Sequence, residues 1–332
     1  MKILLVTDTH GRNLDLISSY AAEMNAELCI HAGDFGFYSD NTVEALTKRE
    51  LSLLIEHGNL PEEQKLAMRE NTSTERLRAY VARNRLTGEF PEYLAGKKRF
   101  ACPVCATWGN HDDAEVVLDM IRTPVPNLTV VHENAFLDLG ELVLIGLGGN
   151  CLPWHTIVSS NGLLQKPFAA SCKRGALPGS RVRPTSVLVQ YARLIKTARS
   201  IPAGRHVVLV THASPLVEPF LELVAWQTGA EVTVSGHMGR PDGETGTTDF
   251  SKLPELRRTY ERLLELYPEE EETLRKFRPL ECDRVVRHIN LPDAEDGYGT
   301  LEYDAGDFSF EIRGAAWHTR GPSLVLTNAG HG

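Results

Sequence analysis

Nowhere in the 332 residues is there an unbroken apolar run of about 18, which excludes a helix built to cross a membrane. The opening MKILLVT meets an acid at Asp8, too early for a secretory signal, so the expectation is a cytoplasmic protein without a membrane partner. Excess positive charge is missing too. A formal net charge of -9 and a pI near 5.8 exclude a protein that holds long nucleic acid by charge alone, leaving a nucleotide or a nucleic-acid end open as substrate. Cysteine is sparse as well, with six in the chain, and a chain of this size does not need a disulfide framework. Cys102 and Cys105 form a CPVC, which suits a redox pair, half a zinc site or simply two buried reduced thiols. The motif lies where a strand runs into a loop rather than at a helix start, and that favours buried thiols.

What is present is a 42% hydrophobic composition, enough for a substantial core. Five short apolar runs share one kind of ending. ILLVT leads to Asp8, ELCIHAG to Asp34, CPVCATWG to Asn110, HVVLVT to His212 and EVTVSG to His237. Val, Ile and Leu runs closed by Gly, Thr or Ser read as buried strands, and their alternation with helical stretches predicts an α/β fold of layered sheets flanked by helices. Each polar residue then sits just past the C-terminal end of a strand, where open α/β sheets place their sites.

The intervening segments complete one domain over 1–332. Leu14 to Asn25 reads as a first crossover helix, and Asp112 to Met120 begins with acids that suit a helix N-terminus. Residues 41–100 read as a helical insertion near the mouth of the site, with Pro61 opening its second half. AFLDLG and ELVLIGLGG read as two further strands. They lead into a long loop over 150–185, whose Lys173, Arg174, Arg181 and Arg183 face either a substrate phosphate or solvent. A second helical insertion over 251–280 has leucines at three- and four-residue steps, and a hairpin over 298–313 turns at Gly306 to close the second sheet.

The chemistry must come from Asp8, His10, Asp34, Asn110, His111, His212 and His237. Asp8 and His10 are two apart, so both side chains can turn to one ion as the chain leaves its strand. Asp34 follows Gly33, which allows close approach to a shared centre. In a metal pair about 3.5–4 Å apart one carboxylate commonly bridges, and Asp34 is the candidate. Metal one would take Asp8, His10 and Asp34; metal two would take Asp34, Asn110, His212 and His237. Mixed nitrogen and oxygen donors suit manganese, iron, zinc or nickel better than calcium, and two manganese ions are the expectation. Singly, each residue has an ordinary reading as a turn residue, a helix cap or a satisfied histidine. Five strand ends in one chain order make coincidence a poor explanation.

The set DTH at 8–10, GD at 33–34, GNHD at 109–112, TH at 211–212 and GH at 236–237 resembles the calcineurin-like metallophosphoesterase family. The resemblance implies a four-layer αββα sandwich of two mixed sheets around a dinuclear centre, with the ligand roles already given. It implies that His111 contacts the phosphate and protonates the leaving oxygen as general acid. An aspartate that supports this histidine in many members would fall near Phe37 and Tyr38, so its support is unassigned. The resemblance departs at Gly239, where family phosphodiesterases commonly place the second histidine of a GHTH-like stretch. Metal one is then short of an imidazole, which leaves an open position rather than no site.

The expected function is hydrolysis of a phosphodiester or phosphomonoester by attack of metal-activated hydroxide. One alternative is a phosphatase for small nucleotides or phosphoproteins. The stretch IGLGGNCLPW is faintly similar to RNA lariat debranching relatives, which keeps a nucleic-acid diester among the substrates. Another alternative is a weakly active or inactive scaffold that binds protein through its helices, a mainly structural role like that of the family's retromer-associated member.

Overall fold

A computed structural model describes residues 1–56, 60–69, 72–149, 184–266, 268, 271–275, 278–314 and 324–326. Two mixed sheets lie at its centre. In the first, strands β1 (Lys2–Val6), β2 (Leu28–Ala32), β3 (Val104–Thr107) and β4 (Leu128–Val130) run parallel, and β11 (Gly297–Asp304), β12 (Asp307–Gly314) and β13 (Leu324–Leu326) extend β1's free side antiparallel. In the second, β6 (Leu142–Leu147), β7 (His206–Thr211), β8 (Val232–Ser235) and β10 (Val286–Asn290) run parallel. Antiparallel β5 (Leu137–Leu139) and β9 (Glu244–Thr248) close its two edges.

Side-chain alternation along single strands builds the layers. Ile3 and Leu5 of β1 point between the sheets, into a core shared with Ile30, Val208, Val210 and Val234. Leu4 and Val6, one residue out of phase, pack outward against the helices Leu14–Met24 and Ala114–Arg122 through Ile17, Val117 and Met120. On the far face Leu209 and Ile145 meet Leu194, Trp226 and Leu256, from the helices Pro184–Arg199, Pro219–Thr228 and Leu253–Leu266. Helix, sheet, sheet, helix is the αββα order.

Leu253–Leu266 buries Leu253, Leu256, Tyr260 and Leu263, a one-sided stripe at three- and four-residue steps. The helices between Thr42 and Arg83 spend their apolar faces on a separate small core of Val43, Leu51, Leu77 and Val81. The β11–β12 hairpin turns through Ala305 and Gly306, both at positive φ (49° and 96°), the geometry of a tight two-residue turn.

Three local expectations change. The β11–β12 hairpin pairs with β1 and so extends the first sheet instead of closing the second. The helix after β3 starts at Ala114 with Asp113 as its cap, accepting from Glu115 N at 3.0 Å, and Asp112 faces inward instead. The helix Pro184–Arg199 begins within the last two residues of the expected 150–185 loop. The rest of that loop from 150 on, with Lys173, Arg174, Arg181, Arg183, Cys151 and Cys172, lies outside the described residues.

Cys29, Cys102 and Cys105 are buried free thiols. Burial raises all three pKa values, that of Cys105 to about 12, so they stay protonated and unreactive. Among the described residues no helix is long and apolar enough to cross a membrane.

Candidate metal centre

Parallel strands deliver their C-terminal ends to one edge, and two sheets face to face bring two such edges together. Asp8 follows β1, Asp34 follows β2 and Asn110 follows β3; His212 and His237 follow β7 and β8 on the opposing sheet. The chain must turn sharply at each exit. Asp8, His10, Asp34 and His237 all stand at positive φ (53°, 50°, 48° and 69°), a region uncommon for residues with a Cβ. Held there by the surrounding structure, this strain is characteristic of a functional site.

Backbone hydrogen bonds fix the turns. Asp8 N donates to Gly33 O (3.1 Å), His10 N to Asp34 O (2.8 Å) and Gly11 N to Phe35 O (2.9 Å), which laces the first two exits side by side. Asp8 Oδ2 accepts from Thr7 Oγ1 (2.7 Å) and from His237 N (3.0 Å), and so joins the two sheets. Gly109 N–H and three more from Phe35, Gly36 and Phe37 converge on the buried Asp112 carboxylate at 2.7–3.2 Å. Asp112 thereby locks the GD loop to the GNHD loop. Burial and then the charge of Asp34 push its pKa up to about 6, against the pull of the N–H donors.

Six of the seven expected ligand and catalytic residues surround Asp34 or pair with its neighbours. Ligand atoms of Asp8, His10 and Asp34 lie within 4.8 Å of one another, as do those of Asp34, His212 and His237. Asn110 Oδ1 is 3.1 Å from His212 Nε2, which places the amide in the second group. His111 Nε2 is 3.9 Å from Asp34 Oδ2, its ring edge-on to His10 with centroids 5.6 Å apart. His111 is one-third exposed whereas Asp34 and His212 are fully enclosed, so His111 stands at the mouth.

Electrostatics suit cations. Burial would raise the Asp34 carboxyl, but His212, His111 and His10 overrule it and hold the group well below the carboxylate range. Burial lowers His10, and lowers His237 to about 4 together with the charge of His212, so both are neutral imidazoles with a lone pair to offer. His212 goes the other way. Burial opposes its charge, yet Asp34 at 3.3 Å holds it protonated, with Nδ1 donating to Ala32 O at 3.0 Å. His212 would have to give up its Nε2 proton to serve as a ligand of a divalent cation beside Asp34. Two carboxylates, one of them the shared Asp34, with an amide oxygen and three imidazoles fit divalent metal ions.

Among the close-packed glycines, Gly109 bears directly on the centre. A Cβ on Gly109 would stand far inside contact distance of Asp34 Oδ1. Gly109→Ala must therefore push Asp34 aside, and it is expected to lower metal content and turnover together, by at least about tenfold, although no ligand is changed. Elemental analysis of the purified variant checks this, and two retained metal equivalents would count against the shared role of Asp34.

Sequence reasoning missed several neighbours. Tyr38, buried in the neighbourhood left unassigned, donates its hydroxyl to His111 O at 2.8 Å and so fixes the backbone of His111 rather than its ring. Asp293 sits on a loop tied to the site by Ala294 N donating to Thr7 O at 3.1 Å; burial, then the charges of Asp8 and nearby acids, raise it to about 7. Arg12, one residue past the DTHG turn, carries an enclosed guanidinium nitrogen, Nη1, without a hydrogen-bond partner. None belongs to a motif; only the folded loops reveal them.

A family model described as calcineurin-like phosphoesterase matches residues 1–241. No curated protein matches the sequence. One solved crystal structure is 14% identical with a TM-score of 0.48, covering 94% of this chain and 98% of its own. Another, described as a novel archaeal phosphodiesterase, is 11% identical with a TM-score of 0.31, covering 94% and 100%. The chain belongs to the calcineurin-like phosphoesterase family and is a phosphoester hydrolase, of a family that uses divalent metal ions.

Proposed function

We propose that this protein is a dinuclear phosphoesterase, best served by manganese, acting on a phosphomonoester or phosphodiester of small-molecule or nucleotide size. The observation that carries the reading is the membership of Asp34 in both ligand groups. Asp8, His10 and Asp34 would hold one ion, and Asp34, Asn110, His212 and His237 the other. Two bound divalent cations supply positive charge for phosphoryl oxygens and lower the pKa of water. The chain's own residues do the rest. His212 is oriented by Ala32 O, Asp34 is fixed by His111 N at 2.8 Å, and His111 at the mouth can give a proton to the departing ester oxygen.

His111→Ala is expected to keep its metal content while turnover falls by about 10²–10⁴-fold. Elemental analysis and steady-state rates on the same sample check both halves. Normal turnover in that variant would remove the acid role of His111.

Nothing lies within 4 Å of the position a Cβ on Gly239 would take, so there is space for the absent imidazole, at the cost of the backbone strain that its φ of 53° puts on any side chain. Gly239→His is expected to tighten the weaker of the two ions by about tenfold or more. Competition with a chelating dye reads this, and an unchanged affinity would show that position 239 does not address the first ion.

A further inference from the structure

The phosphoester reading leaves one cation near the centre without an assignment. Arg12 emerges from a rigid turn: its N–H donates to Thr9 O at 3.0 Å, and the preceding Gly11 is bonded to Phe35. Its charge is felt by His10, and the guanidinium in turn feels Tyr38 and Glu295 after the larger effect of its own burial. Tyr38 is committed to the carbonyl of His111, and the exposed Glu295 accepts from Asn13 Nδ2 at 2.5 Å. Nη1 is closed off from solvent and donates to nothing, and among the described residues Arg12 forms no ion pair. A guanidinium stays charged at all physiological pH values, and an enclosed N–H of a cation without an acceptor is a costly arrangement. It persists where a ligand completes it.

We propose that Arg12 is a specificity residue that recognises a terminal phosphoryl dianion at the His10–His111 side of the cleft, so that the enzyme prefers monoesters. This rests on the phosphoester reading and extends it. A diester has two non-bridging oxygens and one negative charge. A terminal phosphoryl has three such oxygens and a second charge, and a forked guanidinium donor outside the metal ligand set is matched to the additional oxygen. Glu295, exposed and already bonded to Asn13, forms no ion pair with the arginine among the described residues.

The test compares wild type, Arg12→Gln and Arg12→Lys after loading with manganese. Rates are measured on an aryl phosphomonoester and the matching diester, and orthophosphate binding is followed by titration calorimetry with no ester present. In Arg12→Gln the monoester KM is expected to rise about ten- to a hundredfold and orthophosphate affinity to fall by a similar factor. The diester KM should move by less than about threefold, and lysine should restore part of the loss by keeping the charge. Equal KM shifts on both esters, or orthophosphate affinity equal to wild type, would overturn the proposal while hydrolysis by wild type stands. Wild type that hydrolyses neither ester yet binds orthophosphate in an Arg12-dependent way would remove the hydrolytic reading and keep Arg12 as the anion-recognising group.

Discussion

Asp34→Asn is expected to lower turnover by at least about a thousandfold and to reduce bound metal from two equivalents to fewer than one. The size follows from the position of the residue. Asp34 Oδ1 accepts from His111 N at 2.8 Å, while Oδ2 faces His212 at 3.3 Å and His111 at 3.9 Å, so one carboxylate serves both ligand groups and the mouth. Asparagine keeps an acceptor for His111 but loses the negative charge that two cations would share. It also turns an amide N–H toward His212, which is itself held protonated by the carboxylate it faces. Metal stabilisation of phosphoryl charge is worth several kcal/mol, and each 1.36 kcal/mol is tenfold in rate. Elemental analysis beside kinetics measures both quantities. Two retained equivalents with turnover within about threefold of wild type would contradict the bridging role.

Asp112→Ala carries the largest expected cost in stability. The carboxylate accepts from Phe35, Gly36, Phe37 and Gly109, and all of it is buried. An orphaned buried donor costs about 1–3 kcal/mol, and partial relaxation of two loops leaves a net loss of about 3–5 kcal/mol. For a chain of this length that is a fall in Tm of about 4–7 °C. Asp112→Asn should recover less than half, because its NH2 faces backbone N–H groups that need an acceptor. Thermal unfolding of the metal-free variants reads the effect without involving catalysis. A Tm within about 1 °C of wild type would show that the two loops hold together by other means.

The sandwich was legible where a strand is buried on both faces. Lys2–Val6, Leu28–Ala32 and His206–Thr211 are largely apolar runs, Val232–Ser235 alternates valine with small hydroxyl residues, and the endings carry the polar residues that the fold gathers. Glu244–Thr248, ETGTT, was not legible, because an edge strand half open to solvent needs no apolar run. The helix Pro219–Thr228 hid for the opposite reason. Seven of its ten residues are buried, six of them in the outer core, so no amphipathic stripe remains to show a helical period.

In the site, Asp8, His10, Asp34, His212 and His237 announce themselves by the turns after their strands. Asp112 does not. Two adjacent acids before an apolar helix look like capping residues, and only the approach of the Phe35–Phe37 backbone separates Asp113 at the cap from Asp112 in the interior. Arg12 is equally silent in sequence. A single arginine after a glycine is ordinary until the fold encloses its Nη1 without an acceptor.

The most direct test of the account is a titration of chelated protein with manganese, following hydrolysis of an aryl phosphate ester as metal is added. Hydrolysis that rises only as a second equivalent binds, and that is lost on returning chelator, is the result expected from two ligand groups sharing Asp34. Full activity at a single equivalent, or activity untouched by chelator, would contradict a dinuclear centre.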